Sequence, residues 1–179
     1  IRTVFWVVSQ DSSANGSGFR FLLCGASGSH FHNDNNGKFW GNSANNNIKN
    51  GATRMNGTSL SGHTNYPNNL SIITLKTLGN VSADRFGQDR GFNGRQWIGK
   101  LGELLIYNSA LSDSEISKVE GYLAHKWGLT GSLPTSHDYK ASLPGHLENV
   151  SSGQTSMGLS GLSSATSYKI RVQATNSAG

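Results

Sequence analysis

Apolar runs of strand length, separated by turns rich in Gly, Asn and Ser, organise most of the chain. RTVFWVVSQ (2–10) is apolar throughout, the pattern of a strand covered on both faces. DSSANGSG (11–18) is turn chemistry and FRFLLCG (19–25) a second strand, so the two read as a hairpin with a long loop. SHFHND holds a short strand, NNGKFW a turn feeding another, and GNSANNNIKNGA (41–52) reads as a polar loop. In RMNGTS, Asn56-Gly57 is a strong hairpin signal. In LSIITLKT (70–77), Ile72, Thr74 and Lys76 alternate with Ile73, Leu75 and Thr77. FGQDRGFNGRQ is a loop, and WIGKLGELLIYN (97–108) the last strand.

The period then changes. Ser112 is a good N-cap, with Glu115 three residues on to complete a capping box. Ile116, Val119, Leu123 and Trp127 form one stripe with Tyr122 beside it, while Lys118, Glu120 and Lys126 are expected to face away. Gly128 supplies the left-handed terminus and Pro134 follows. One amphipathic helix over about 112–127 must lie on apolar β-surface. The expected fold class is mainly β: an antiparallel two-sheet jelly-roll sandwich with this helix packed on it.

Composition narrows the function. Hydrophobic residues make up 35% and charged residues 14% of 179 positions, a balance that suits an extracellular β-protein with long polar loops. The net charge of +5 is spread singly over Arg2, Arg20, Lys38, Lys49, Arg54, Lys76, Arg85, Arg90 and Arg95, so no nucleic-acid footprint is expected. Cys24 is the single cysteine; in its apolar strand it reads as a small buried hydrophobe. No apolar run is long enough for a membrane span, and no signal peptide is evident. Opening on Ile1 and ending on TNSAG, the sequence reads as a window from a longer protein.

VFWVVSQD and GFRFLL, LSIITLKTLGNVSADRF, and WIGKLGELLIYNSALSDSEISKVEGYLAHKWGL together resemble a laminin G-like domain of the concanavalin A type, from secreted multidomain bacterial proteins. The resemblance spans residues 1–141. It implies a two-sheet sandwich of about a dozen strands, with first strands missing here. LSGLSSATSYKIRVQATNSAG (159–179) is similar to the later half of a fibronectin type III domain, with Leu162 and Tyr168 as its tyrosine corner. That places a partial second domain over 146–179.

Candidate chemistry is sparse. Jelly-roll hydrolases need two neighbouring carboxylates, and Glu103 has no acidic neighbour on its strand face. The lyase alternative draws on His30, His32, Tyr66 and Arg54, which no motif groups. His30, His32 and Asp34 share one strand face and could hold zinc, although a polar solvent face accounts for them more simply. The resemblance suggests calcium at the loop rim, with Asp11, Asp34, Asp84 and Asp89 as oxygen donors.

Glycan recognition pairs flat aromatics with polar side chains that match hydroxyl groups. Trp40, Tyr66 and Trp97 supply the aromatics, and His32, Asn33, Asp34, Arg54 and Arg90 the polar partners; core packing is the plain alternative for each aromatic. Trp6 and Trp127 are assigned to the core. The expected function is a non-catalytic carbohydrate-binding or adhesion module of a secreted or cell-surface bacterial protein. Its partners would be polysaccharide or surface glycan and other domains of the parent chain. A protein-interaction or spacer module is the alternative, and a lyase or hydrolase fragment the third reading.

Overall fold

The computed structural model describes residues 1–16, 18–25, 28, 30–34, 38–60, 64–141 and 143–144. The chain divides into two units, Ile1–Pro144 and Gly145–Gly179; all described residues belong to the first. The tail expected to form a partial fibronectin-type domain lies outside them.

Among the described residues, eight strands form two antiparallel sheets. The larger holds β1 (Thr3–Gln10), β4 (Ala52–Met55), β5 (Thr58–Ser59), β6 (Ser71–Lys76) and β8 (Gly99–Tyr107), in the order β5-β4-β6-β1-β8. The smaller holds β2 (Phe21–Cys24), β3 (His30–His32) and β7 (Arg85–Phe86), in the order β3-β2-β7. A short helix α1 (Asn46–Lys49) and a long one, α2 (Asp113–Trp127), complete the unit.

β1 is buried along its whole length, and the reason is its position. It is central in the larger sheet, paired with β6 and β8. On one face Val4, Trp6 and Val8 join Leu22, Leu23 and Phe31 of the smaller sheet, with Trp40, Tyr66, Ile73 and Leu75, in one apolar cluster. On the other, Phe5, Val7 and Ile72 pack against Ile116, Leu123 and Ala124 of α2. Fully burying a residue such as Ile116 or Leu123 contributes about 1.5–3 kcal/mol.

The expected jelly-roll sandwich is not what forms. The sheets have five and three strands, and both stay open. β5 and β7 are two residues each, because the polar segments around them lack the apolar alternation that would extend a ladder. The predicted β1–β2 hairpin is also absent: β1 pairs within one sheet and β2 within the other. Residues 41–52 are not only loop, since α1 buries Ile48 completely. Residues 38–51 hold no strand; Phe39 and Trp40 lie in a bend and enter the core.

Local signals elsewhere act as read. Asn56 and Gly57 both have positive φ, 50° and 78°, and close the β4–β5 hairpin. Ser112 and Glu115 form a complete capping box, and Gly128 is left-handed at φ 68°. Glu120 departs from expectation. It does not face solvent but is wholly buried, four residues after Ile116 and three before Leu123 on the same face. Its carboxylate accepts from the Thr74 hydroxyl at 2.7 Å, with Arg54 and His137 each at 3.6 Å.

Candidate functional site

The three aromatics expected to stack on sugar are brought together, but inside the protein. Trp40 and Tyr66 have ring centroids 6.2 Å apart, and Tyr66 and Trp97 are 5.2 Å apart. Trp40 is 6% exposed and Tyr66 2%, while Trp97 is half-buried against the same cluster. The Trp40 indole donates to the Thr53 hydroxyl at 2.7 Å. Burial pushes the Tyr66 phenol well above its ordinary range.

The polar partners are dispersed. Arg54 pairs with Asp113 at 2.9 Å, on the α2 side of the larger sheet. Asn33 accepts from the Arg20 amide at 2.8 Å, and Asp34 from the Lys38 amide at 3.1 Å. His32 is 1% exposed, with Nδ1 donating to the Asn33 carbonyl and Nε2 accepting from Ser43 at 3.0 Å. Burial lowers its pKa. The expected polar solvent face of β3 is therefore a buried one: Phe31 enters the core as read, and His30 and His32 are covered on the opposite side.

The acidic residues named for calcium do not converge. Asp11 caps the 3-10 turn Ser12–Ala14, Asp84 lies beside Arg85 at the surface, and Asp89 is buried against Arg95 at 3.0 Å. Among the described residues, one group has the spacing of metal ligands: Cys24, His30 and Asp89, with donor atoms all within 4.8 Å of one another. Backbone pairing creates half of it, because Cys24 lies directly opposite His30 in the β2–β3 ladder. The chain after β7 returns to deliver Asp89, with Arg90 and Arg95 outside it.

Hydrogen bonds order this group. Arg90 donates to His30 Nε2, which places the proton of a neutral imidazole on Nδ1. Nδ1 faces Cys24 Sγ at 3.4 Å, and the thiol donates to Asp89 Oδ1 at 3.7 Å. Asp89 Oδ1 also accepts from the Arg90 amide, at 2.6 Å, and Oδ2 from the Arg95 guanidinium, at 3.0 Å. Arg95 in turn stacks on Phe19 and Phe92, at 4.5 and 4.4 Å.

Burial, and then the Asp89 charge, raise the Cys24 pKa. Burial, and then Arg90, lower that of His30. Burial alone would raise Asp89, but the Arg90 amide and the two guanidiniums outweigh it and hold the carboxyl below its usual value. A nucleophilic cysteine needs the reverse arrangement, with the carboxylate behind the histidine and a cation near sulfur. Here the carboxylate faces sulfur and a guanidinium occupies the far imidazole nitrogen, so the thiol is kept protonated.

Sequence reading placed Cys24, His30 and Asp89 in three separate arguments. The available signal was the hairpin: two short strands joined by a Gly/Ser turn put Cys24 and His30 side by side. Nothing local marked Asp89.

β8, at the edge of the larger sheet among the described residues, is a second feature. Leu101, Leu104 and Ile106 lie opposite Val8, Trp6 and Val4, hence on the face carrying the main core. The smaller sheet does not cover them fully, leaving Leu101 40% and Ile106 49% exposed. On the other face Glu103 accepts from the Trp127 indole at 2.8 Å and from Lys126 at 3.0 Å, fastening the end of α2. No helix among the described residues is long and apolar enough to cross a membrane.

The chain matches no family model, no curated protein and no solved structure. The laminin G-like, concanavalin A-type and fibronectin type III resemblances are therefore withdrawn. The strand followed by a capped helix, part of what carried the laminin G-like resemblance, is present on open sheets and not on a closed sandwich.

Proposed function

We propose that the protein is a non-catalytic interaction module that accepts an extended polypeptide strand on the outer edge of β8. One observation carries this reading. Among the described residues, no strand pairs with the outer edge of the nine-residue β8, beside Leu101 and Ile106, which the narrower sheet leaves exposed. Such an edge is a template for strand addition: main-chain hydrogen bonds give affinity and alternate side chains give selectivity. The burial of Trp40 and Tyr66, which a sugar platform would need at the surface, supports it over glycan binding. The polarity of the Cys24 network supports a non-catalytic role. A secreted or cell-surface multidomain protein, with the strand supplied by another domain or protein, is the setting this reading fits.

The test uses a soluble synthetic peptide alternating Val and Thr, with Lys at both ends. The expected result is slowed hydrogen exchange at alternate amides of residues 99–107, abolished by Leu101→Lys together with Ile106→Lys. Unchanged exchange at these amides in saturating peptide refutes it.

A second reading has one supporting observation. A cavity of ≈ 270 Å³ is lined by Lys38, Trp40, Lys49, Thr53 and Leu60 among others, and both lysines reach Asn42, at 2.8 and 3.0 Å. Its two ammonium groups would suit a carboxylated or sulfated sugar. Binding to acidic glycans on an array, lost in Lys38→Ala with Lys49→Ala, would favour it over the strand-binding role.

A further inference from the structure

We infer that Cys24, His30 and Asp89 form a binding site for a thiolate-seeking divalent cation of the zinc class, with Arg90, on the far imidazole nitrogen of His30, as the group that must withdraw. The argument begins with distances. Zinc bonds to sulfur at about 2.3 Å and to nitrogen or oxygen at about 2.0–2.2 Å, so tetrahedral angles put donor atoms roughly 3.5 Å apart. Cys24 Sγ is 3.4 Å from His30 Nδ1 and 3.7 Å from Asp89 Oδ1. Two of the three donor pairs already stand at the spacing a metal requires, and all three donors, from three segments, lie within 4.8 Å of one another.

Burial and support fit as well. The exposures are 0% for Cys24, 9% for His30 and 6% for Asp89. Arg95 holds Asp89 Oδ2 at 3.0 Å, leaving Oδ1 toward sulfur, the outer-shell arrangement that fixes a ligating carboxylate. The Arg90 amide on Oδ1 takes one lone pair and leaves the other. His32 is not a ligand, because both its ring nitrogens are already hydrogen-bonded. One thiolate, one imidazole and one carboxylate make a soft-to-borderline donor set, suited to zinc and unsuited to calcium.

Arg90 is the competing group. When Nδ1 binds a metal, Nε2 must carry the proton, and it then opposes the Arg90 N–H instead of accepting from it. Arg90 is exposed, so its side chain can leave toward solvent, and the metal's charge would favour its departure. Binding then joins β2, β3 and the segment after β7 at one point, and releases the thiol proton of Cys24.

The test is titration of the reduced full chain with Co²⁺, followed by the thiolate-to-cobalt charge-transfer band. Expected is one band that saturates and is erased by Zn²⁺. Arg90→Ala, at an exposed position, should bind about tenfold more tightly, and Asp89→Asn, losing a ligating charge, more weakly by at least the roughly 10–100-fold that loss of an outer-shell partner costs. Cys24→Ala should lose the band; if it fails to fold, the Arg90 and Asp89 variants still decide. Absence of the band in both wild type and Arg90→Ala at large cobalt excess overturns the site. So does an Asp89→Asn variant that binds as tightly as wild type.

Discussion

Glu120 is the most exacting point at which to test the packing of α2. Replacing it by Ala leaves the Thr74 hydroxyl, itself 1% exposed, without its 2.7 Å acceptor. An orphaned buried hydroxyl costs about 1–3 kcal/mol. Arg54 keeps its Asp113 partner at 2.9 Å, so the further loss is confined to the buried pair, and a total of about 2–4 kcal/mol is expected. Glu120→Gln keeps an oxygen for Thr74 and removes the charge, so it should cost less at neutral pH.

The two substitutions separate hydrogen bonding from ionisation. Burial, opposed by Thr74, Arg54 and His137, raises the folded carboxyl above its ordinary 4.5. The folded state then holds a proton where the unfolded chain has released it. The contribution of this group is therefore fully present below 4.5 and is lost as pH rises through the folded value. Urea unfolding followed by tryptophan fluorescence over that window should show wild type losing stability relative to Glu120→Gln. Parallel pH profiles for the two, or a Glu120→Ala variant within about 0.5 kcal/mol of wild type, would refute the buried carboxyl.

Three further outcomes are expected from the same unfolding assay. Ser112→Ala removes the acceptor that caps the Glu115 amide and should cost about 0.5–2 kcal/mol. The Tyr66 hydroxyl is buried without a partner among the described residues, so Tyr66→Phe should be neutral or stabilise by up to about 1 kcal/mol; a clear loss would mean the hydroxyl has a partner elsewhere. Gly121→Ala drives a methyl group into Tyr139 and should cost about 1–3 kcal/mol, whereas wild-type stability would show that the segment after α2 is not seated there.

The strongly periodic elements were legible. β1, β6, β8 and α2 appear where apolar runs, alternation and caps place them, within a residue or two. Alternation says which side chains share a face but not which strand lies alongside, so the β1 partners, at residues 71–76 and 99–107, could not be read locally. Glu120 was misplaced because its charge outweighed its spacing: a position four after Ile116 and three before Leu123 is on the buried stripe. The aromatics were ambiguous for a similar reason, since a Trp in a polar loop can face either way, and Trp40 turns inward to meet Thr53. Of the metal-spaced group, only the two hairpin residues left a signal; Asp89, 65 positions from Cys24, needed the tertiary fold.

The central place of β1 has a consequence for biogenesis. Thr3–Gln10 leaves the ribosome long before its second neighbour, Gly99–Tyr107, has been translated. Its sequence TVFWVVSQ can pair with β6 on one side but waits for its second neighbour through roughly 90 codons, several seconds at ordinary elongation speeds. An apolar strand made this far ahead of its second neighbour is exposed to aggregation during synthesis, which favours a nascent-chain holding chaperone.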